Sequence, residues 1–276
     1  MTKWVSRLVR CRILVIMVVV GGARYASGEP IVLEGLIEPY LVVKVGSAVT
    51  GILEAVEVDR GDRVTEGQVL ATLKSGVEKA TMELARERSQ MEATIKAREA
   101  RLQFSQRKQQ RMEELYRKDV IPFEEMDESR TNSTLALMEL EEARENMRLA
   151  ELEYKRSMEI FRRMTIYSPI TGVVMERFLS PGEFVEDQPI LKLAQIHPLN
   201  VEVIVPVELI GAIKVGMTAE VKPEDSPHSF YKAKVKIVDQ VVDAASGTFG
   251  VRLELPNPEY RIAAGLKCKV TFLKND

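Results

Sequence analysis

An interrupted repeat limits what this chain can fold into more than any other feature. "SAVTGIL" at residues 47–53 returns as "SPITGVV" at 168–174, and "DRGDRVTEGQVL" after the first copy matches "SPGEFVEDQPIL" after the second. A constant offset of 121 residues aligns Ser47 with Ser168, Thr50 with Thr171, Gly51 with Gly172, Gly61 with Gly182, Val64 with Val185 and Leu70 with Leu191, without a gap. Solenoids need several copies at periods of about 20 to 50 residues. One distant copy instead predicts two halves of a single small domain, split by an insertion. In both halves, 42–76 and 165–196, apolar and polar residues alternate between glycines, as in short strands joined by tight turns. Two such halves pack face to face as a small β-sandwich. Gly51, Gly61, Gly172 and Gly182 are expected at turns that need positive φ.

The insertion, 77–164, contains no glycine and a single proline, Pro122. It is filled with Glu, Arg, Lys, Gln, Ala, Met and Leu, which are strong helix formers. A proline disfavours helix in the residue before it, so the segment divides into helices of about 77–117 and 124–163. At 1.5 Å per residue each is roughly 60 Å long. The second helix carries a 3-4 series of mostly small and apolar residues, Ser133, Ala136, Leu140, Ala143, Met147, Ala150, Tyr154, Ser157, Phe161 and Met164. The first carries Leu84, Arg88, Met91, Ile95, Arg98, Leu102, Ser105, Gln109, Met112 and Tyr116, with four polar interruptions. Such seams predict an antiparallel coiled-coil hairpin turning at Pro122. The Met and Leu stripe reads as packing, and most of the helical carboxylates as exposed i,i+4 partners of Arg and Lys.

Residues 1–28 combine Lys3, Arg7, Arg10 and Arg12 with the apolar run "ILVIMVVVGGA" and a small-residue site at Ala26-Ser27-Gly28. That order describes a secretory signal peptide, with an uncleaved anchor as the alternative. Residues 29–41 read as a strand that joins the barrel formed by the last part of the chain. From 197 to 276 strands are expected at about 199–205, 217–222, 232–243, 248–255 and 266–273, with a short helix at "VELIGAIKV". Regular strands with Pro, Gly and Asn turns suggest a closed six-stranded barrel once the N-terminal strand is added. The fold class is thus α+β and elongated: a split β-sandwich, an inserted α-helical hairpin and an antiparallel β-barrel.

Composition restricts the chemistry. A net charge of −2 provides no basic field for nucleic acid. Beyond the leader the one cysteine, Cys268, lies in the alternating run "LKCKVTFL", where it packs as a small apolar residue. His197 and His228 stand 31 residues apart in turn-rich text. The phosphate-cradling loop, the nucleophile elbow and the H-E-x-x-H helix are all missing from the sequence. No catalytic or metal-binding residue is expected.

With "VGSAVTGILEAVEVDRGDRVTEGQVLATL", "MTIYSPITGVVMERFLSPGEFVEDQPILKL" and "LNVEVIVP…VGMTAEVKP…VDAASGTFGVRLELPNP…AAGLKCKVTF" in that order, the chain resembles the periplasmic adaptors, or HlyD-type membrane fusion proteins, of Gram-negative efflux (resistance-nodulation-division-like) or secretion systems. The resemblance implies a lipoyl-like sandwich and a non-enzymatic adaptor in the periplasm. It also implies partners: an inner-membrane transporter, an outer-membrane channel of TolC type, and other copies of the chain in a ring of six. At the hairpin tip, channel-docking adaptors resemble the pattern R-x3-L-x6-S-x4-D. Here Arg111, Leu115 and Asp127 fit, while Pro122 stands at the serine position. Lipoyl carriers bear a modified lysine at the turn between halves, but here the hairpin replaces that turn. Lys74 and Lys79 flank the junction outside the carrier setting, so no cofactor is expected. A membrane-proximal domain built from both chain ends is not expected either, since only "LKND" follows the barrel. A secretion-system adaptor, a free coiled-coil scaffold and a cofactor carrier are the alternatives.

Overall fold

The computed structural model describes residues 31–225 and 229–273. The leader, with its cleavage site at Ala26-Ser27-Gly28, and His228 lie outside the described residues. Twelve strands and three α-helices follow in chain order. They are β1 (Ile31–Val45), β2 (Gly51–Val56), β3 (Arg63–Val64), β4 (Val69–Leu73), α1 (Gly76–Ser89), α2 (Ala93–Arg117) and α3 (Phe123–Arg162). After the helices come β5 (Thr165–Tyr167), β6 (Gly172–Arg177), β7 (Phe184–Val185), β8 (Leu191–Pro206), β9 (Thr218–Pro223), β10 (Tyr231–Val238), β11 (Thr248–Leu255) and β12 (Lys267–Phe272).

The repeat is a structural pseudo-twofold. Gly51 pairs with Val185, and its counterpart Gly172 pairs with Val64. The Leu53 N–H donates to the Glu183 carbonyl at 2.9 Å, and the Val174 N–H to the Asp62 carbonyl at the same distance. Even the side-chain turns repeat: Ser47 Oγ donates to the Val49 carbonyl and Ser168 Oγ to the Ile170 carbonyl, both at 2.6 Å. Between the halves lies a core of Leu53, Val64, Leu70, Leu73, Val185, Ile190, Leu191 and Leu193, almost wholly buried. Each large aliphatic side chain removed from water there contributes roughly 1.5–3 kcal/mol.

Gly61 and Gly182 hold φ of 95° and 93°, as turn glycines should. Gly51 and Gly172 do not. Both open strands and have no positive φ, so the expected turn role is corrected for these two. Gly172 is required for a different reason. A Cβ there would lie 2.1 Å from the Ala194 carbonyl oxygen, because β6 and β8 cross closely at that point. At Gly51 the nearest atom is a Leu73 methyl at 3.5 Å, an ordinary contact.

The barrel closes in the order β1-β12-β9-β10-β11-β8, with β8 returning to β1. Its six antiparallel strands enclose Ile37, Leu199, Val201, Val203, Val221, Val235, Val251, Leu253, Leu255, Val270 and Phe272. Cys268 is buried opposite Gly35 in the β1–β12 ladder. Asn257 pins the β11–β12 connection: its side-chain amide donates to the carbonyls of Ile196 and Ile262 and accepts from the Ile262 N–H. Only Val207–Leu209 form a helical turn (3-10) where a short helix was expected; Gly211 and Gly216, both at positive φ, break that segment.

The two β-bodies share strands. β1 and β8 pair from Gly35↔Val203 to Val45↔Leu191, with one irregularity between Pro39 and Leu41. Their upper halves belong to the barrel and their lower halves to the sandwich. Strand β8 therefore begins at Leu191, not near 199 as its sequence suggests.

The hairpin departs from the expected pair of helices. Its first arm is broken at Gln90-Met91-Glu92 into α1 and α2, while α3 runs unbroken for 40 residues. The break resets the seam. On α1 the face toward α3 carries buried Ala85 and Ser89, while Leu84, Arg88 and Met91 are exposed. On α2 the expected positions Ile95, Arg98, Leu102, Ser105, Gln109 and Met112 do turn inward, half-buried, while Tyr116, the last of the expected series, is exposed. On α3 every expected seam residue is buried or half-buried. Beside the expected i,i+4 pairs Glu92–Lys96 and Glu113–Arg117, ion pairs also cross the hairpin: Arg98 and Arg101 both reach Glu139, at 2.6 and 3.2 Å, and Arg144 reaches Glu99 at 3.0 Å.

Candidate interface at the hairpin tip

The tip is built by a capping motif. After Arg117 the chain takes φ of 54° at Asp119, the left-handed conformation that ends many helices. The Asp119 N–H then donates to the Tyr116 carbonyl at 2.9 Å and the Val120 N–H to the Leu115 carbonyl at 3.0 Å. This pair of bonds is the Schellman arrangement, made here with aspartate in place of glycine. Pro122 follows in extended backbone, φ −72° and ψ 161°, directly before α3. A proline is well placed at such a boundary, because the N–H it lacks has no helical partner there.

The expected contact residues divide between the two arms of the hairpin. Arg111 is exposed about two turns below the cap and makes no ion pair among the described residues. Leu115 is half-buried and lends its carbonyl to the cap. Pro122 and Asp127 are exposed on the opposite arm. The sequence reading missed the apolar crown between them. Val120 and Phe123 are 63% and 57% exposed, and Tyr116 meets Phe123 edge-on with ring centroids 6.0 Å apart. The signal was present in "VIPF", an apolar run at a link that solvent alone would make polar. The crown and its flanking Arg117, Lys118, Glu124 and Glu125 can bury an apolar centre against a partner inside a charged rim.

Among the described residues no group of three or more His, Cys, Asp or Glu is placed to hold a metal. No described helix is long and apolar enough to cross a membrane. Burial, aided by the nearby Glu224 carboxylate, pushes the Cys268 thiol up to about 11, although the Gly35 N–H partly offsets this. A thiol held protonated in this way is a poor nucleophile.

Residues 41–195 match the CzcB-like barrel-sandwich hybrid domain, and residues 199–276 the CusB-like β-barrel domain. The chain belongs to the membrane fusion protein family, the periplasmic adaptors of efflux systems. It is 31% identical over 190 residues to the pyoverdine export membrane fusion protein PvdR of Pseudomonas aeruginosa, covering 67% of this chain and 49% of that protein. A membrane protein encoded in the asrC 5' region of Acidithiobacillus ferridurans is 26% identical over 117 residues, covering 38% of this chain and 35% of its own. The chain thus spans half or less of the length of the curated relatives it matches. In fold it is similar to MacA from Actinobacillus actinomycetemcomitans, with a TM-score of 0.74 at 22% identity, covering 88% of this chain and 78% of that one. It is also similar to the membrane fusion protein Spr0693 of Streptococcus pneumoniae, with a TM-score of 0.64 at 14% identity, covering 89% and 100%.

Proposed function

We propose that this chain is a non-catalytic periplasmic adaptor that joins an inner-membrane transporter to an outer-membrane channel of TolC type, assembled as a ring of copies. The observation that carries this reading is the hairpin tip, where Tyr116, Val120 and Phe123 remain in water above a cap that holds them in place. Exposed apolar groups on a rigid end are costly in a monomer and are accounted for by a partner. In this reading the tip engages the channel. The crown and Leu115 supply the apolar contact, while Arg111 and Asp127 act as polar clamps beside Pro122. The barrel and sandwich face the transporter and the neighbouring copies. Export into the periplasm by the leader, residues 1–28, belongs to the same reading.

The test is export by a cell that depends on this protein. Arg111→Asp and Leu115→Ser should abolish export at normal protein abundance. Reversing the Arg111 charge sets a carboxylate against whatever acceptor the arginine meets. Pro122→Ser should be neutral or improve docking. Normal transport by both tip variants, or failure only through loss of the protein, rules the tip out as the channel contact.

A further inference from the structure

The sandwich has two uncovered edges of opposite character. Beyond Ile37, β1 keeps β8 on one side and has no strand on the other among the described residues. Strand β5 is likewise the open edge of the four-stranded sheet β5-β4-β2-β7. These two edges border a cavity of about 300 Å³ whose lining holds two cations, Lys44 and Arg163, and no carboxylate. Neither cation makes an ion pair among the described residues. Tyr40, Leu41, Val42 and Tyr167, all 43–50% exposed, belong to the same two strands.

At the far end of the four-stranded sheet lies β7, three strand spacings or about 14 Å away. Its surroundings, "SPGEFVEDQP", carry Glu183, Glu186 and Asp187 and no cation. None of these carboxylates makes an ion pair among the described residues. The pseudo-twofold shows that this edge lacks a cover its counterpart has. Arg63, the counterpart of Phe184, stacks on Tyr260 of the barrel at 4.7 Å. Phe184 is 55% exposed, beside the exposed Ile52 with which it pairs.

We infer that the groove between β1 and β5 of one subunit receives the acidic β7 edge, residues 183–187, of the next copy of this chain. This rests on the ring reading above and supplies the contact that builds the ring. Lys44 and Arg163 meet Glu183, Glu186 or Asp187, and Phe184 lies against Tyr167 and the exposed residues of β1. Because groove and edge lie on opposite sides of one sheet, the contact is head-to-tail, the kind that closes rings when its rotation permits.

The experiment places the photo-crosslinking residue p-benzoylphenylalanine at Tyr167 of the full chain in cells, with a second probe at Leu149 on the hairpin. Irradiation should give an adduct of two chains that joins position 167 to the tryptic peptide 178–192 of the other copy. Lys44→Glu with Arg163→Glu should lower its yield at least about tenfold, by setting like charges together. Replacing Glu183, Glu186 and Asp187 by Lys in the same chain should restore it. If the charge-reversed groove does not fold, the adduct from the otherwise unaltered chain still decides. An adduct of two chains from Leu149 without the 167-to-178–192 link overturns the edge contact and leaves the ring standing. If neither probe gives a two-chain adduct, both readings fall. An adduct from Tyr167 to a different protein assigns the groove to that protein and overturns the inference.

Discussion

Glycines show how far a single residue can be read from sequence. Gly61 and Gly182 were legible because a positive φ leaves a local trace, a glycine amid polar turn residues. Gly172 was not: its requirement comes from the Ala194 carbonyl, which the fold brings in from the next strand. Gly172→Ala should therefore cost about 3 kcal/mol, since a backbone atom must move. Gly51→Ala should cost no more than about 1 kcal/mol, despite its matched place in the repeat. Urea unfolding of the two variants measures the contrast. The Cys268 thiol gives a pH dependence of known sign. Its native pKa is raised from the ordinary 9.0 to about 11, so between these values the unfolded chain releases a proton that the native chain keeps. Stability is lost as pH rises through that window. The native chain should lose it more steeply there than Cys268→Ala, and unfolding midpoints on either side of pH 9 test this.

At the level of elements, the hairpin and the split sandwich were legible because each has its own period, 3.6 residues for one and 2 for the other. The break at Gln90-Met91-Glu92 was not. No glycine or proline marks it, and each short stretch around it is a sound helix. What the sequence does contain is two phases, the small residues Ala85 and Ser89 against the apolar Ile95 and Leu102, which no single straight helix can turn toward one partner. Reading Leu84, Arg88 and Met91 as seam joined those phases into one. The base of the hairpin leads to a separate prediction. The Leu73 N–H donates to the Met164 carbonyl at 2.8 Å, so the two ends of the insertion already touch. A chain with 77–163 replaced by a short Gly/Ser link should keep a folded, cooperatively unfolding β-portion, because closing so short a gap costs little entropy. Loss of the cooperative transition on heating would count against the split-domain architecture.

For the molecule as a whole, the order of the parts was legible, while the groove and the acidic edge of the proposed contact were not, since they come from segments far apart in sequence. Subunit association through Lys44, Arg163 and the acidic edge should weaken with salt. Screening shortens the reach of charge from about 10 Å at 0.1 M to about 3 Å at 1 M. Sedimentation at the two salt concentrations should show the larger species dispersing, and an unchanged distribution would assign assembly to apolar hairpin faces instead. The shared strands β1 and β8 have a mechanical meaning. They run from barrel to sandwich through ten paired positions, and the rungs between them lie across the strand direction. A pull between the two bodies therefore loads those rungs together, in shear, and does not peel them one at a time. In the proposed assembly, work done on the barrel by a transporter would reach the root of the hairpin as displacement, with little of it spent on unravelling the ribbon that carries it.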